Sequence, residues 1–248
     1  MRRVDSVVGG AGSGTLRALL AGPTVTGSVV HAGRQAVYAD LDGLVVGVLA
    51  RGAVHVPCAV LTTLPGLPEA TVGDPVLAGD GELRVGPLSV TVTRLVSFAV
   101  PRLTTPLAPV EADLSPARDQ LATDALDLLA AGDPAAVPAL VGRGDGLTPV
   151  GDDVLAGWLV ATRAAGRDSS PIAEAVEAHL PRTTSLSAAL LRHAIAGEAI
   201  APFRVALTTG AVAGLLAVGH TSGAGMLLGA HLSLSPSITH EALEGSTR

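Results

Sequence analysis

The segment Gly142-Arg143-Gly144-Asp145-Gly146-Leu147-Thr148-Pro149-Val150-Gly151-Asp152-Asp153 holds four glycines and three aspartates in twelve residues, directly ahead of an apolar run. Glycines in a turn let backbone N–H groups approach a ligand without Cβ obstruction. A helix that opens at Asp152 or Asp153 adds its positive N-terminal end, which suits an anion. On a functional reading, Gly146, Gly151 and the Thr148 hydroxyl bind substrate and Arg143 supplies counter-charge. Asp152 and Asp153 then act as catalytic general base or as Mg²⁺ ligands. On a structural reading, this is a tight turn followed by an aspartate N-cap. The doubled carboxylate, the Thr-Pro turn and the surplus of glycine exceed what a cap needs, and favour function.

A second polar block, Gly219-His220-Thr221-Ser222-Gly223, interrupts an apolar stretch over residues 205–234. His220 sits in the turn expected between two helices. An imidazole there can serve as catalytic acid or base, or donate to a bound carboxylate. Thr221, Ser222 and Gly223 are candidate substrate contacts. A C-cap followed by an N-cap is the structural alternative. Between two apolar helices, however, a His-Thr-Ser run costs desolvation unless something satisfies it.

The third block, Arg182-Thr183-Thr184-Ser185-Leu186-Ser187, clusters a guanidinium and four hydroxyls at an expected helix start. Arg182, Thr184 and Ser187 are candidate substrate residues, since a bidentate fork beside a helix N-terminus suits phosphate or carboxylate. Ordinary capping explains the same hydroxyls equally well. His193, farther along that helix, reads as structural.

Other residues carry less. His31, His55, His179, His231 and His240 are scattered without metal-ligand spacing. Ser222 lacks the Gly-x-Ser-x-Gly setting of a hydrolase nucleophile. The run from Gly9 to Gly14 lacks the Gly-Lys-Ser/Thr of a phosphate loop. The single cysteine, Cys58, follows Pro57 in an expected strand and reads as buried and inert.

These blocks need elements to hold them. The chain has 248 residues, 48% hydrophobic but only 2% aromatic, so its core is aliphatic. Net charge is −6 and no basic block is present, which argues against nucleic acid as a partner. One cysteine and no signal-like N-terminus fit a cytoplasmic protein. The apolar stretch at 205–234 is broken at its middle and falls short of a membrane span.

Before Pro106, short β-type runs alternate with Gly, Pro and Asp, at residues 27–31, 36–40, 44–49, 54–61, 82–85 and 88–95. Asp40-Leu41-Asp42-Gly43 and Gly79-Asp80-Gly81 read as hairpin turns. After Pro116 the period becomes helical, with helices expected over 115–132, 134–141, 152–166, 171–180, 184–196, 207–218 and 222–232. Residues 235–248 are expected to fray. The expected fold is therefore α+β: an antiparallel β sandwich or small barrel over residues 1–110, then an all-helical domain over residues 111–248 that carries all three blocks.

Gly146-Leu147-Thr148-Pro149, Gly151-Asp152-Asp153, Leu155 and Gly157 resemble the signature of the DUF2877 family. Gly219-His220-Thr221-Ser222-Gly223, with Leu227 and Gly229, resembles its second signature. Thr184, Ser187, Leu190 and Leu191 resemble the helix start between them. The resemblance covers about residues 140–232. The family includes the AllH-type subunit of oxamate carbamoyltransferase, in anaerobic allantoin degradation, a branch of purine breakdown. The resemblance implies reaction of oxamate with carbamoyl phosphate to give oxalurate and phosphate, alongside other subunits. Its requirement for a cofactor is open, with Mg²⁺ the candidate. A non-catalytic metabolite-binding or regulatory subunit is the alternative. Two positions depart from the pattern: the family usually has Ser where Val150 stands and Asp where Gly225 stands.

Overall fold

The structure is a computed structural model that describes residues 6–104 and 112–234. Eight strands come first: β1 (Ser6–Gly12), β2 (Val25–Ala32), β3 (Ala36–Asp40), β4 (Val45–Leu49), β5 (Ala59–Leu61), β6 (Pro75–Gly79), β7 (Glu82–Val85) and β8 (Leu88–Leu95). They form a closed barrel in the order β1-β5-β4-β3-β2-β6-β7-β8. Helix α1 (Gly14–Leu20) contributes Leu16 and Leu20 to the barrel core.

The expected fold class needs correcting. There is no sandwich of two facing sheets, because β8 pairs with β1 along its length and shuts the ring. Nor is the sheet antiparallel throughout: β1–β8 and β4–β5 run parallel. Period-two alternation tells which face of a strand is buried, not which strands meet. That β1 returns to β8 is a long-range fact with no local signature. The order of a barrel followed by helices fits the expectation only roughly. The expected boundary at residues 110 and 111 lies outside the described residues, as do residues 235–248 and His240.

Local turn chemistry was readable. Asp42-Gly43 and Asp80-Gly81 all adopt positive φ, at 60°, 86°, 52° and 87°, and link β3 to β4 and β6 to β7. Two consecutive left-handed residues match the twist of a tight hairpin. Strands β1 and β6 were missed, and the glycine run at residues 9–12 is strand, not loop.

The second half is helical: α2 (Ser115–Arg118), α3 (Thr123–Ala130), α4 (Val137–Leu140), α5 (Val150–Ala164), α6 (Ser170–His179), α7 (Ser185–Ile195), α8 (Ala201–Thr209), α9 (Ala213–Leu216) and α10 (Ser222–Leu234), with 3₁₀ turns at Pro134–Ala136 and Leu180–Arg182. The helix expected over 115–132 breaks in two, because Ala122 takes extended dihedrals. The one expected over 207–218 starts earlier, behind Ile200 with Pro202 in its first turn, and stops at Gly210 in the left-handed region. Among the described residues no helix is long and apolar enough to cross a membrane.

Strands β3 to β5 explain how the halves meet. Val37, Ala39, Val46, Val48 and Val60 point into the barrel. Tyr38, Val45, Leu49 and Ala59 point the other way and join the helical core. β4 is buried at every position, so its sequence is a continuous apolar run rather than an alternation. In the helical half α5 and α10 form the central pair. A Cβ at Gly157 would collide with the Met226 carbonyl, and one at Gly229 with the Val154 carbonyl. Both glycines exist so that the two backbones can touch.

Candidate functional site

The three polar blocks converge at the N-terminal end of α5. Pro149, not an aspartate, occupies the N-cap of this helix, and its side chain makes no capping bond. The capping role expected for Asp152 or Asp153 is therefore corrected: both lie inside the first turn, 2% and 7% exposed. Adjacent helical residues point about 100° apart, so the two carboxyls meet different surroundings.

Asp152 is a clasp. Its Oδ1 accepts the Gly142 N–H at 2.8 Å. Its Oδ2 accepts the Ser187 hydroxyl at 2.7 Å and the Thr183 hydroxyl. One carboxylate thus ties the loop before α5 to the start of α7. Burial pushes its pKa up, and the hydrogen bonds from Thr183, Gly142 and Ser187 pull it back. Thr184 caps α7 by accepting the Ser187 N–H at 3.0 Å and donates to the Leu147 carbonyl at 2.6 Å. Thr148 and Ser222 share a hydrogen bond of 3.0 Å, which fastens the first block to the second.

Asp153 is different. Burial raises its carboxyl to about 8, the Ser222 hydroxyl that bonds it lowers it, and the Asp152 charge raises it further. The group therefore holds its proton at neutral pH. Its Oδ2 is buried without a hydrogen-bond partner. Asp153 also borders a small apolar pocket of about 60 Å³ between α5, α7 and α8, with Ala156, Leu190, Ala194 and Phe203 on the walls. His193 and Glu198 line the same pocket, and His193 Nδ1 lies 2.6 Å from Glu198 Oε2.

From the sequence His193 reads as structural, and Glu198 is not singled out. A signal existed: Ser187, Leu190 and His193 follow one another at i+3, the spacing of one helix face. The matching stripe on α5 is Asp153, Ala156 and Val160.

The remaining candidates lie nearer the surface. Gly146, Arg182 and His220 are exposed, whereas Thr148, Thr184, Thr221 and Ser222 are half-buried. Gly151 and Gly223 are buried where a Cβ would strike the Leu140 and Leu215 carbonyls, so packing accounts for both. The two departures from the resembled pattern are neighbours. A Cβ built on Gly225 would lie 2.9 Å from Asp153 Cβ and 3.3 Å from Val150 Cγ2. Val150 and Gly225 together make one side of Asp153 small and apolar. Cys58 is buried, and burial pushes its thiol up to about 12, in keeping with an inert role.

The residues do not fit a Mg²⁺ ion. Mg²⁺ asks for oxygen ligands in near-octahedral array. Both Asp152 oxygens already accept protein donors. Asp153 borders an apolar pocket, whose aliphatic walls offer no further oxygen ligands beside it. Among the described residues no three His, Cys, Asp or Glu side chains come together as a metal site.

Fold and site together define a β-barrel protein with a helical half in which three polar loops are knotted around a buried carboxylate. Residues 140–234, from α4 to the end of α10, match the family described as oxamate carbamoyltransferase subunit AllH. That span is the one over which the motif resemblance runs. Searches of curated proteins and of solved structures found no match.

Proposed function

We propose that this chain is a subunit of a cytoplasmic carbamoyltransferase acting on a small carboxylate such as oxamate. The observation that carries the reading is the coincidence of the AllH match with the convergent blocks: the matched segment is the one that contains the Asp152 clasp and the candidates nearer the surface. In the reaction the oxamate amide nitrogen attacks the carbonyl carbon of carbamoyl phosphate. A C–N bond forms, the C–O bond to phosphate breaks, and the nitrogen loses a proton.

Arg182 and the exposed backbone at Gly146 are suited to the anionic ends of the substrates, with Thr148 and Thr221 as hydroxyl contacts. His220 is suited to take the proton. In this reading the exposure of Arg182 and His220 is the expected state of residues that a second subunit covers. Asp152, Thr184 and Ser187 act as positioning residues, since their side chains are engaged with one another and with the loop.

The test is oxamate-dependent phosphate release from carbamoyl phosphate, measured with partner subunits present. His220→Ala should abolish turnover and leave the melting temperature unchanged. Undiminished turnover removes His220 from the mechanism. A second reading, a non-catalytic metabolite-binding subunit, draws on the same clasp: the most buried polar groups are spent on structure. Saturable binding of carbamoyl phosphate by calorimetry, with no turnover when partners are added, would select it.

A further inference from the structure

The far end of α5 holds a second recess. It has a volume of about 260 Å³ and is lined by Val100, Arg102, Val160, Arg163, Ala164 and Gly197. Residues 98–103 form its outer wall, because they are stitched across the C-terminal ends of α5 and α7. The Val100 N–H donates to the Gly197 carbonyl at 2.9 Å, and the Leu103 N–H to the Ala164 carbonyl at 2.8 Å. Arg163 lies in the last turn of α5 and Asp152 in the first, about 16 Å apart along the axis at the 1.5 Å rise of an α-helix.

Two guanidinium groups meet this recess from different elements, Arg102 from the strap and Arg163 from α5. Each is seated against a glycine. A Cβ at Gly197 would lie 2.7 Å from Arg163 Nε, and one at Gly166 would strike the Arg102 guanidinium. The ordinary employments of an arginine do not account for the pair. Among the described residues the ion-paired arginines are Arg84 and Arg192, and those whose side chains donate hydrogen bonds are Arg143, Arg167, Arg192 and Arg204. Nor do Arg102 and Arg163 cap the helices: the Arg163, Ala164, Ala194 and Gly197 carbonyls accept backbone N–H groups instead.

Two like charges beside one recess repel each other unless an anion lies between them. The partial negative charge at each helix end, about half an elementary charge, offsets only part of that repulsion. A planar carboxylate is satisfied by a single guanidinium fork. A tetrahedral phosphate group carries up to two negative charges and has oxygens enough for two forks. Val100, Val160 and Ala164 offer an aliphatic surface against which a short alkyl body can lie.

We propose that the recess between Arg102 and Arg163 binds a small phosphate monoester with a short alkyl body. The site is distinct from Arg182 and His220, which belong with the blocks at the other end of α5, and the proposal does not rest on carbamoyl transfer.

The experiment titrates the full chain, in buffered saline, with propyl phosphate, inorganic phosphate and butyrate. The readouts are the methyl NMR signals of Val100 and Val160, since both residues line the recess. Propyl phosphate should give saturable shifts, inorganic phosphate should bind more weakly, and butyrate should bind about tenfold or more weakly, as the loss of one charge-assisted contact requires. Arg102→Gln and, independently, Arg163→Gln should each weaken propyl phosphate by about the same factor. Both side chains are exposed, so circular dichroism should show the fold unchanged. Arg182→Gln removes the same charge at the other end of α5 and should leave the affinity unaltered. Absence of saturable shifts, butyrate or inorganic phosphate binding as tightly as the ester, undiminished affinity in Arg102→Gln or Arg163→Gln, or equal weakening by Arg182→Gln would each overturn the proposal. Turnover in His220→Ala bears on the other site alone.

Discussion

The barrel and the helical half solve the problem of buried polarity in opposite ways. In the barrel the buried polar side chains are Ser13, Thr62 and Ser89. Each serves a local need. Ser13 caps α1, Thr62 donates to the Leu49 carbonyl at 2.8 Å, and Ser89 donates to Glu82 at 2.6 Å. The helical half buries two acids, Asp152 and Asp153, and among the described residues no other acid is buried. One is over-supplied with donors and one is under-supplied. A fold that needs only stability does not require the second arrangement, and the contrast supports the proposal that the helical half carries the function.

Four measurements would break or sharpen that contrast. The largest effect is expected for Asp152→Ala, which strands the Gly142 N–H and the Thr183 and Ser187 hydroxyls. Leaving a buried donor unsatisfied costs about 1–3 kcal/mol for each group, to be read from urea unfolding. A cost below 1 kcal/mol would mean that the clasp does not hold α5 to α7. Next is Gly229→Ala. Its Cβ would press on the Val154 carbonyl, a backbone atom that cannot swing aside. Overpacking of this kind costs about 1–3 kcal/mol, and thermal melts should show it.

Asp153→Asn tests the under-supplied acid. Its carboxyl sits near 8 in the fold against 3.8 as the ordinary value. Between those two pH values the native state holds a proton that the unfolded chain has released. Stability from this group is therefore complete below about pH 4 and is lost as pH rises toward 8, by about 1.4 kcal/mol per pH unit at most. The asparagine variant should remove that slope, so stability curves measured at pH 5 and pH 8 should converge. Equal slopes in both proteins would show that Asp153 ionises freely. The smallest effect belongs to the barrel. Thr62→Val removes the donation to the Leu49 carbonyl and a longer bond, 3.3 Å, accepted from the Leu64 N–H, and should cost about 1 kcal/mol, by the same unfolding assay.

The three polar blocks that meet at α5 were more legible in the sequence than the fold was. Gly142 to Asp153, Arg182 to Ser187 and Gly219 to Gly223 were visible because polar, glycine-rich blocks ahead of apolar runs are local signals. The structure adds what separates Asp152 from Asp153, which is a matter of helical phase and of what α7 and α10 bring up to each. His193 stayed hidden because a histidine amid apolar residues looks alike whether it packs or lines a pocket. For the barrel, the hairpin turns could be read from Asp42-Gly43 and Asp80-Gly81. The closing pair β1–β8 could not, since its partners lie far apart along the chain. Even β1 was disguised, because Gly9, Gly10 and Gly12 lower β propensity and imitate a loop.

That closing pair also sets a timetable. During synthesis β1 emerges first, yet its long partner β8 ends at Leu95. Until then the nascent chain carries an unsheltered N-terminal edge, and closing the ring must meet the entropy of a long loop. The strand faces bearing Tyr38, Val45 and Leu49 wait longer still, because the helices that cover them come later in the chain. Ribosome-bound chains halted once Leu95 has cleared the exit tunnel should therefore contain a shut ring with one greasy flank, a natural client for a holdase chaperone.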